Sequence, residues 1–247
     1  MQNVLVFGAT SAIAQATVQL IAAKGAGLFL VARDAARLDS IADDLRVRGA
    51  PQVETLAADL LDRDRHAEII AAALDVFPDL DTVIVAHGVL PDQGSCEADA
   101  SAALEMIDVN FLSAVSLLTP LANQFANKGR GSLVVISSVA GDRGRQSNYV
   151  YGAAKSGLDA YLQGLRNRLF KFGVQVLTIK PGFVDSPMTA HIEGRDGSLW
   201  AQPEDIAQGI VKAIEKRKDV VYLPGFWALI MLIVRSVPEW LFKRLSL

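Results

Sequence analysis

The sequence predicts an α/β domain: a doubly wound parallel sheet of about seven strands with helices on both faces. Three observations carry the prediction. Short β-rich runs alternate with helical patterns along the chain, no repeat or interdomain linker breaks the alternation, and 247 residues suit one large core of this class. Half of the residues are hydrophobic and 21% are charged, the composition of a globular chain.

The strands read as Val4–Phe7, Leu28–Ala32, Val53–Ala57, Thr82–Ala86, Leu133–Ser137, Val174–Ile179 and Val220–Leu223. Parallel strands need long, right-handed crossovers, which places helices on both faces and ligands beyond the carboxyl ends of the strands. Residues 1–223 are expected to form the main domain, with residues 224–247 as a hydrophobic tail packed on it, at an oligomer interface or at a membrane surface. The stretch Val184–Gln202, rich in Gly, Ser and polar residues, is a candidate lid.

Composition also excludes. A net charge of −3, with no basic stripe interleaved with aromatics, gives no attraction to nucleic acid. One cysteine, Cys96, forms no internal disulfide and reads as an incidental, partly exposed thiol. His66, His87 and His191 lack ligand spacing, so no metal site is expected. The amino terminus has no basic start followed by a long apolar run, and a cytoplasmic location is expected.

The first strand runs into Gly8-Ala9-Thr10-Ser11-Ala12-Ile13-Ala14 at the head of an Ala-rich helix. That is where a pyrophosphate sits at a helix N-terminus, although a plain βα turn has the same outline. Ala12 and Ala14 stand where a glycine fingerprint has two more glycines, each adding a methyl near the expected phosphate. Thr10 and Ser11 can cap the helix or donate to phosphate. The second strand ends Ala32-Arg33-Asp34, so a cation stands where NAD would need a carboxylate. Arg33 favours the 2′-phosphate of NADP(H); the alternative is a solvated arginine, with Asp34 as a helix cap that neutralises it. Asp59, after the third strand, either accepts from an adenine amine or begins a turn.

Tyr151 and Lys155, four residues apart in a helical pattern, share a face. A phenol with an ordinary pKa of about 10 needs a nearby cation to work as a base at neutral pH, and Lys155 is available. Ser138 closes the fifth strand at the ligand end. Asn110 lies inside the helical pattern Leu104–Leu118, where asparagine is unfavourable, and suggests a water site or local kink.

On these residues the chain resembles the short-chain dehydrogenase/reductase family over nearly its whole length. The likeness rests on the Gly8 turn, Asn110, the order and spacing of Ser138, Tyr151 and Lys155, and Lys180-Pro181-Gly182-Phe183-Val184-Asp185-Ser186 after the sixth strand. It implies a Rossmann-type domain, Tyr151 as general acid/base, Ser138 orienting a carbonyl, Lys155 on the nicotinamide ribose and lowering the tyrosine pKa, and Asn110 holding a relay water. It further implies cofactor contacts from Gly8, Thr10, Ser11, Ile13, Arg33, Asp59, Leu60, Gly88, Tyr151, Lys155, Pro181, Gly182, Val184 and Ser186, and a homodimer or homotetramer. The expected activity is interconversion of a ketone and a secondary alcohol with NADP(H), NAD being the lesser choice; a non-catalytic dinucleotide sensor is the alternative of another class. Val85-Ala86-His87-Gly88 departs from the family's usual Asn-Asn-Ala-Gly, and His87 either reaches the nicotinamide or packs at the strand end.

The tail carries an apolar run, Phe226–Val234, too short for the roughly 20 residues of a membrane span. Its Trp, Phe and basic residues suit an interfacial segment, an oligomer interface or a flap over the cleft. With the Gly-Ala-Thr-Ser-x-Ile-Ala turn and the Ala86-His87-Gly88 loop, it makes the chain similar to a bacterial subgroup that includes decaprenylphosphoryl 2-keto-ribose reductases. That likeness implies a lipid-linked ketosugar as substrate, with a 3-oxoacyl thioester or general ketone as the alternative.

Overall fold

A computed structural model describes residues 1–192 and 197–245. The strands are β1 (Asn3–Phe7), β2 (Gly27–Ala32), β3 (Val53–Ala57), β4 (Thr82–Val85), β5 (Gly131–Ile136), β6 (Val174–Pro181), β7 (Phe183–Val184), β8 (Trp200–Ala201) and β9 (Val220–Leu223). The helices are α1 (Ala12–Ala22), α2 (Ala35–Val47), α3 (His66–Val76), α4 (Gln93–Ala98), α5 (Ala100–Ile107), α6 (Ser113–Lys128), α7 (Tyr149–Phe170), α8 (Pro203–Glu215), α9 (Trp227–Ser236) and α10 (Glu239–Phe242). A seven-stranded sheet in the order β3-β2-β1-β4-β5-β6-β9 is parallel throughout. This is the Rossmann-type architecture expected from the alternation of strand and helix.

Alternation within each strand divides the interior into two layers. Val4 and Val6 of β1 face one core with Val18 and Ile21 of α1, Leu38 and Leu45 of α2, and Ile206 and Ile210 of α8. Leu5 and Phe7 face the other, with Ile69 of α3, Leu117, Leu121 and Phe125 of α6, and Leu158 and Leu162 of α7. Because both faces are covered, the strands read as continuous apolar runs. Full burial of each such side chain contributes about 1.5–3 kcal/mol.

Three details differ from the sequence-based expectations. The helical pattern around Asn110 is longer, running through α5 and α6, and a π-helical turn at Asp108–Leu112 interrupts it. The whole run, Ala100–Lys128, is long and apolar enough to cross a membrane, but α6 buries Leu117, Leu118, Leu121 and Phe125 in the domain core. Cys96 is not a partly exposed thiol: it is buried on the inner side of α4, and burial raises its pKa. Ala14 is also in the core, so its methyl packs under the turn rather than toward a ligand.

The candidate lid is anchored at both ends. β7 opens it and pairs with β8, with Phe183 stacked on Trp200 at 5.1 Å between ring centroids. Ser186 caps a 3₁₀ turn at Pro187–Thr189. Residues 193–196 of this stretch lie outside the described residues.

The carboxyl-terminal segment packs through Trp227 and Met231 onto Val139, beside Phe183 and Tyr222. Arg143 holds its helix end: Nη1 donates to the carbonyls of Val234 (3.0 Å), Arg235 (3.3 Å) and Val237, and Nη2 to Glu239 (2.9 Å). These are the carbonyls that a helix leaves without partners at its end. Helix α9 has ten residues, about 15 Å of rise, half of a bilayer core. Its outer face exposes Leu229, Leu232 and Ile233, with Trp240 exposed in α10.

Replacing Trp227 by Ala removes the anchor of this segment. Limited proteolysis should then cut after about residue 224 while the remaining domain stays protected; an uncut tail in Trp227→Ala would show that Arg143 alone secures it.

Candidate active site

Residues beyond the carboxyl ends of the central strands form one cleft with two compartments. The larger, about 470 Å³, is lined from Gly8, Thr10, Ser11 and Ile13 to Arg33, Asp59 and Leu60, and reaches Gly88 and Ser186. The smaller, about 150 Å³, is lined by Ser138, Tyr151, Lys155, Pro181, Gly182 and Val184, and shares Gly88 and Ser186 with the first. Every sequence-predicted site residue except Asn110 therefore borders the cleft.

Gly8 shows why the first turn needs glycine. Its φ is +79°, and a Cβ there would lie 2.5 Å from the backbone nitrogen of His87. Ser11 stands at the N-cap of α1 but makes no side-chain cap bond, which leaves its hydroxyl to the cleft. Gln15 instead donates to the Thr10 carbonyl (2.8 Å). Asp34 caps α2 by accepting from the Arg37 N–H (3.0 Å). Arg33 and Arg37 both line the cleft, and neither has an ion-pair partner among the described residues. Arg37, one turn beyond Arg33, is a second cation that reading the strand end alone overlooked. Asp59 borders the cleft and also begins a turn, accepting from the Leu61 N–H at 3.0 Å.

Asn110 lies under the cleft, in the π turn. Its Nδ2 donates to the Met106 carbonyl (3.0 Å) and its Oδ1 accepts from the Val89 N–H (3.1 Å), tying the widened helix to the strand-end loop. A Cβ on Gly88 would come within 2.7 Å of that Oδ1 and 3.5 Å of Lys155 Nζ. The asparagine, the loop glycine and the lysine are thus one packed unit, and the π turn is the kink that the asparagine signalled.

His87 both packs and borders the cleft. Ser113 donates its hydroxyl to the Val109 carbonyl, so the serine oxygen accepts from His87 Nε2 at 2.8 Å. Burial, helped by the Lys155 charge and by His66, pushes the imidazole down to about 3. It is neutral, with a buried Nδ1 that has no hydrogen-bond partner.

Tyr151, Lys155 and Asp159 recur every four residues along one face of α7. Burial drives the phenol up to about 12, opposed by a hydrogen bond with Ser138 and by the charge of Arg145. Ser138 accepts from the Ala140 N–H (3.1 Å), capping the turn Val139–Asp142. Lys155 Nζ donates to the Ile136 carbonyl (3.3 Å) and sits 5.7 Å from the Tyr151 ring centroid. Burial lowers the ammonium to about 8, and Asp159 holds it from falling further.

Behind this face lies an ion cluster that sequence reasoning missed. Lys180 at the end of β6 pairs with Asp142 and lies 2.7 Å from Asp159. Tyr222 of β9 donates to Asp142 at 2.8 Å. Burial opposes the Lys180 charge, but the bonds from the two carboxylates outweigh it and hold the ammonium above its ordinary value. The signal for Asp159 was the Tyr151–Lys155 spacing continued by one more turn.

Residues 2–196 match the short chain dehydrogenase family. The chain is 39% identical over 245 residues to an uncharacterized oxidoreductase of Mycobacterium tuberculosis, covering 98% of this chain and 96% of that one. It is 35% identical over 245 residues to an uncharacterized oxidoreductase of Streptomyces coelicolor, covering 99% and 96%. Levodione reductase shares the fold with a TM-score of 0.83 at 21% identity, over 92% of this chain and 98% of that chain. A variant of actinorhodin polyketide ketoreductase solved with NADPH gives 0.82 at 19% identity, over 91% and 96%. On the family match and the end-to-end likeness to the mycobacterial and streptomycete proteins, the chain belongs to the short-chain dehydrogenase/reductase family of oxidoreductases.

Proposed function

We propose that this protein is an NADP(H)-dependent ketoreductase in which Tyr151 delivers the proton. The observation that carries the reading is the joining of two compartments: a long one that ends at two unpaired arginines, and a short one that holds Ser138, Tyr151 and Lys155.

The residues present fit a dinucleotide. Gly8, Thr10 and Ser11 would hold the pyrophosphate at the head of α1, Asp59 and Leu60 would flank the adenine, and Arg33 with Arg37 would hold a 2′-phosphate. Lys155 would hold the nicotinamide ribose, near Pro181, Gly182, Val184 and Ser186. When bound, NADPH supplies the hydride.

The protein's own part is proton delivery and orientation. With its pKa pushed up to about 12, Tyr151 is protonated at neutral pH, the state a general acid needs for carbonyl reduction. Ser138 accepts from a backbone N–H and turns its own hydroxyl hydrogen toward Tyr151, so a carbonyl oxygen entering between the two would take up that hydrogen. The carbonyl oxygen then lies between two donors, and the oxygen becomes a hydroxyl as Tyr151 gives up its proton. The reverse reaction needs the phenolate, so its rate should rise with pH as Tyr151 deprotonates.

For the substrate, we infer a ketone on an apolar carrier, such as a lipid-linked ketosugar. Gly182 borders the smaller compartment and is packed against the Trp227 indole, so the inner side of α9 backs one wall of the chamber while its outer side exposes Leu229, Leu232 and Ile233. That face would rest on the inner membrane surface or on the carrier itself. A ketoacyl thioester is the second reading, served by the same catalytic residues.

Tyr151→Phe should keep NADPH binding, read by nicotinamide fluorescence, while turnover of any accepted ketone falls at least about 10²-fold; retained turnover would remove Tyr151 from the mechanism. Arg33→Ala and Arg37→Ala should each weaken NADPH far more than NADH. Equal losses for the two cofactors would place those arginines outside the phosphate site.

A further inference from the structure

The smaller compartment contains a cation that opposes the rise in the Tyr151 pKa but has no ion-pair partner of its own among the described residues. Arg145 lines it together with Asn148 and Tyr151, and its charge acts on the Tyr151 phenol. Its Nε is buried and has no hydrogen-bond partner, and among the described residues the guanidinium makes no ion pair. Asn148 Oδ1 is likewise buried and unpartnered. Buried charges in folded proteins are ordinarily paired, because desolvation without a partner is costly.

The other cation of the chamber is differently placed. Lys155 bonds the Ile136 carbonyl and has Asp159 one turn behind it. Asp142 and Asp159, which lie behind the chamber, are engaged by Lys180. No carboxylate lines the compartment among the described residues; its remaining walls include Leu90, Phe183, Met188 and Ile192. Tyr151, protonated at neutral pH, brings no negative charge either. Among the described residues no carboxylate balances Arg145, and an anionic group on the ligand would do so.

We propose that Arg145 is an oxyanion-recognition residue, so that the ketone reduced here bears a carboxylate or phosphoryl group a few bonds from the reacting carbonyl. The inference rests on the ketone reduction proposed above and narrows its substrate class. A guanidinium presents a planar fork that binds such oxygens through two parallel N–H bonds. Arg145 and Tyr151 line the same compartment of about 150 Å³, which puts that fork within one small molecule's length of the acid. Asn148 Oδ1, an acceptor, would take a hydroxyl on the same substrate.

The test compares matched ketones in wild type, Arg145→Met and Arg145→Lys: acetoacetate against its ethyl ester, and dihydroxyacetone phosphate against dihydroxyacetone. Preference within each pair is read as the ratio of kcat/KM, or as the ratio of dissociation constants from fluorescence of the NADPH complex where turnover is absent. The wild type should favour the anion of at least one pair by about 10-fold or more, Arg145→Met should bring that ratio close to one, and Arg145→Lys should restore part of it. The pair that responds tells a carboxylate from a phosphoryl ligand. Ratios near one in the wild type for both pairs, or ratios unchanged by Arg145→Met, overturn the proposal. A protein that binds neither NADPH nor NADH fails the ketoreductase reading, and the same anion ratios measured without cofactor still test Arg145.

Discussion

The buried ammonium of Lys180, held between the carboxylates of Asp142 and Asp159, is the contact on which the active-site end of this molecule depends. Each partner comes from a different element. Asp142 closes the turn that Ser138 caps, Asp159 belongs to the helix that carries Tyr151 and Lys155, and Lys180 ends β6. Tyr222 adds the edge strand through its bond to Asp142. The three side chains are almost wholly shielded from solvent, and desolvating them is repaid only when all the pairings are made. Ser138 and Tyr151 meet in one chamber because the turn and the helix are joined to the same ammonium.

That arrangement also sets the charges next to the substrate. Lys180 takes up both carboxylates, and Asp159 alone supports Lys155, whose ammonium is thereby kept at about 8 rather than lower. Gly141 belongs to the same packing: a Cβ there would lie 2.9 Å from Asp159 Oδ2. With Asp142 and Asp159 engaged by Lys180, the described walls of the chamber carry cations, a protonated phenol and neutral side chains. A surface of that kind polarises a carbonyl oxygen and receives an oxyanion, which is why the same geometry serves both proton delivery and the selectivity assigned to Arg145.

Much of this was legible in the sequence because it is local. Strand–helix alternation reported the sheet, and the spacing of Tyr151 and Lys155 reported a shared helix face. The out-of-place Asn110 reported an irregular helix, though not that its widening would be a π turn. What was not legible is long-range. Lys180 and Asp142 are 38 residues apart, and no periodicity links a strand end to a turn on the neighbouring strand. Arg145 lies in a stretch without a repeat, so nothing local marked it as facing the chamber. Cys96 was misjudged because a polar stretch folded into a six-residue helix with one inward side. Ala14, read as crowding a phosphate, packs into the core because its position in α1 faces the sheet.

A double-mutant cycle on Lys180→Met and Asp159→Asn, read by urea unfolding, tests the central claim most directly. Lys180→Met should cost about 3–5 kcal/mol by leaving two buried carboxylates without this partner, and Asp159→Asn should cost less because Lys180 keeps its bond to Asp142. The combined change should cost less than the sum by at least about 1 kcal/mol, since the two residues share one interaction. Losses that add to within about 0.5 kcal/mol would contradict the account, and would mean that the turn and the helix are held in place independently.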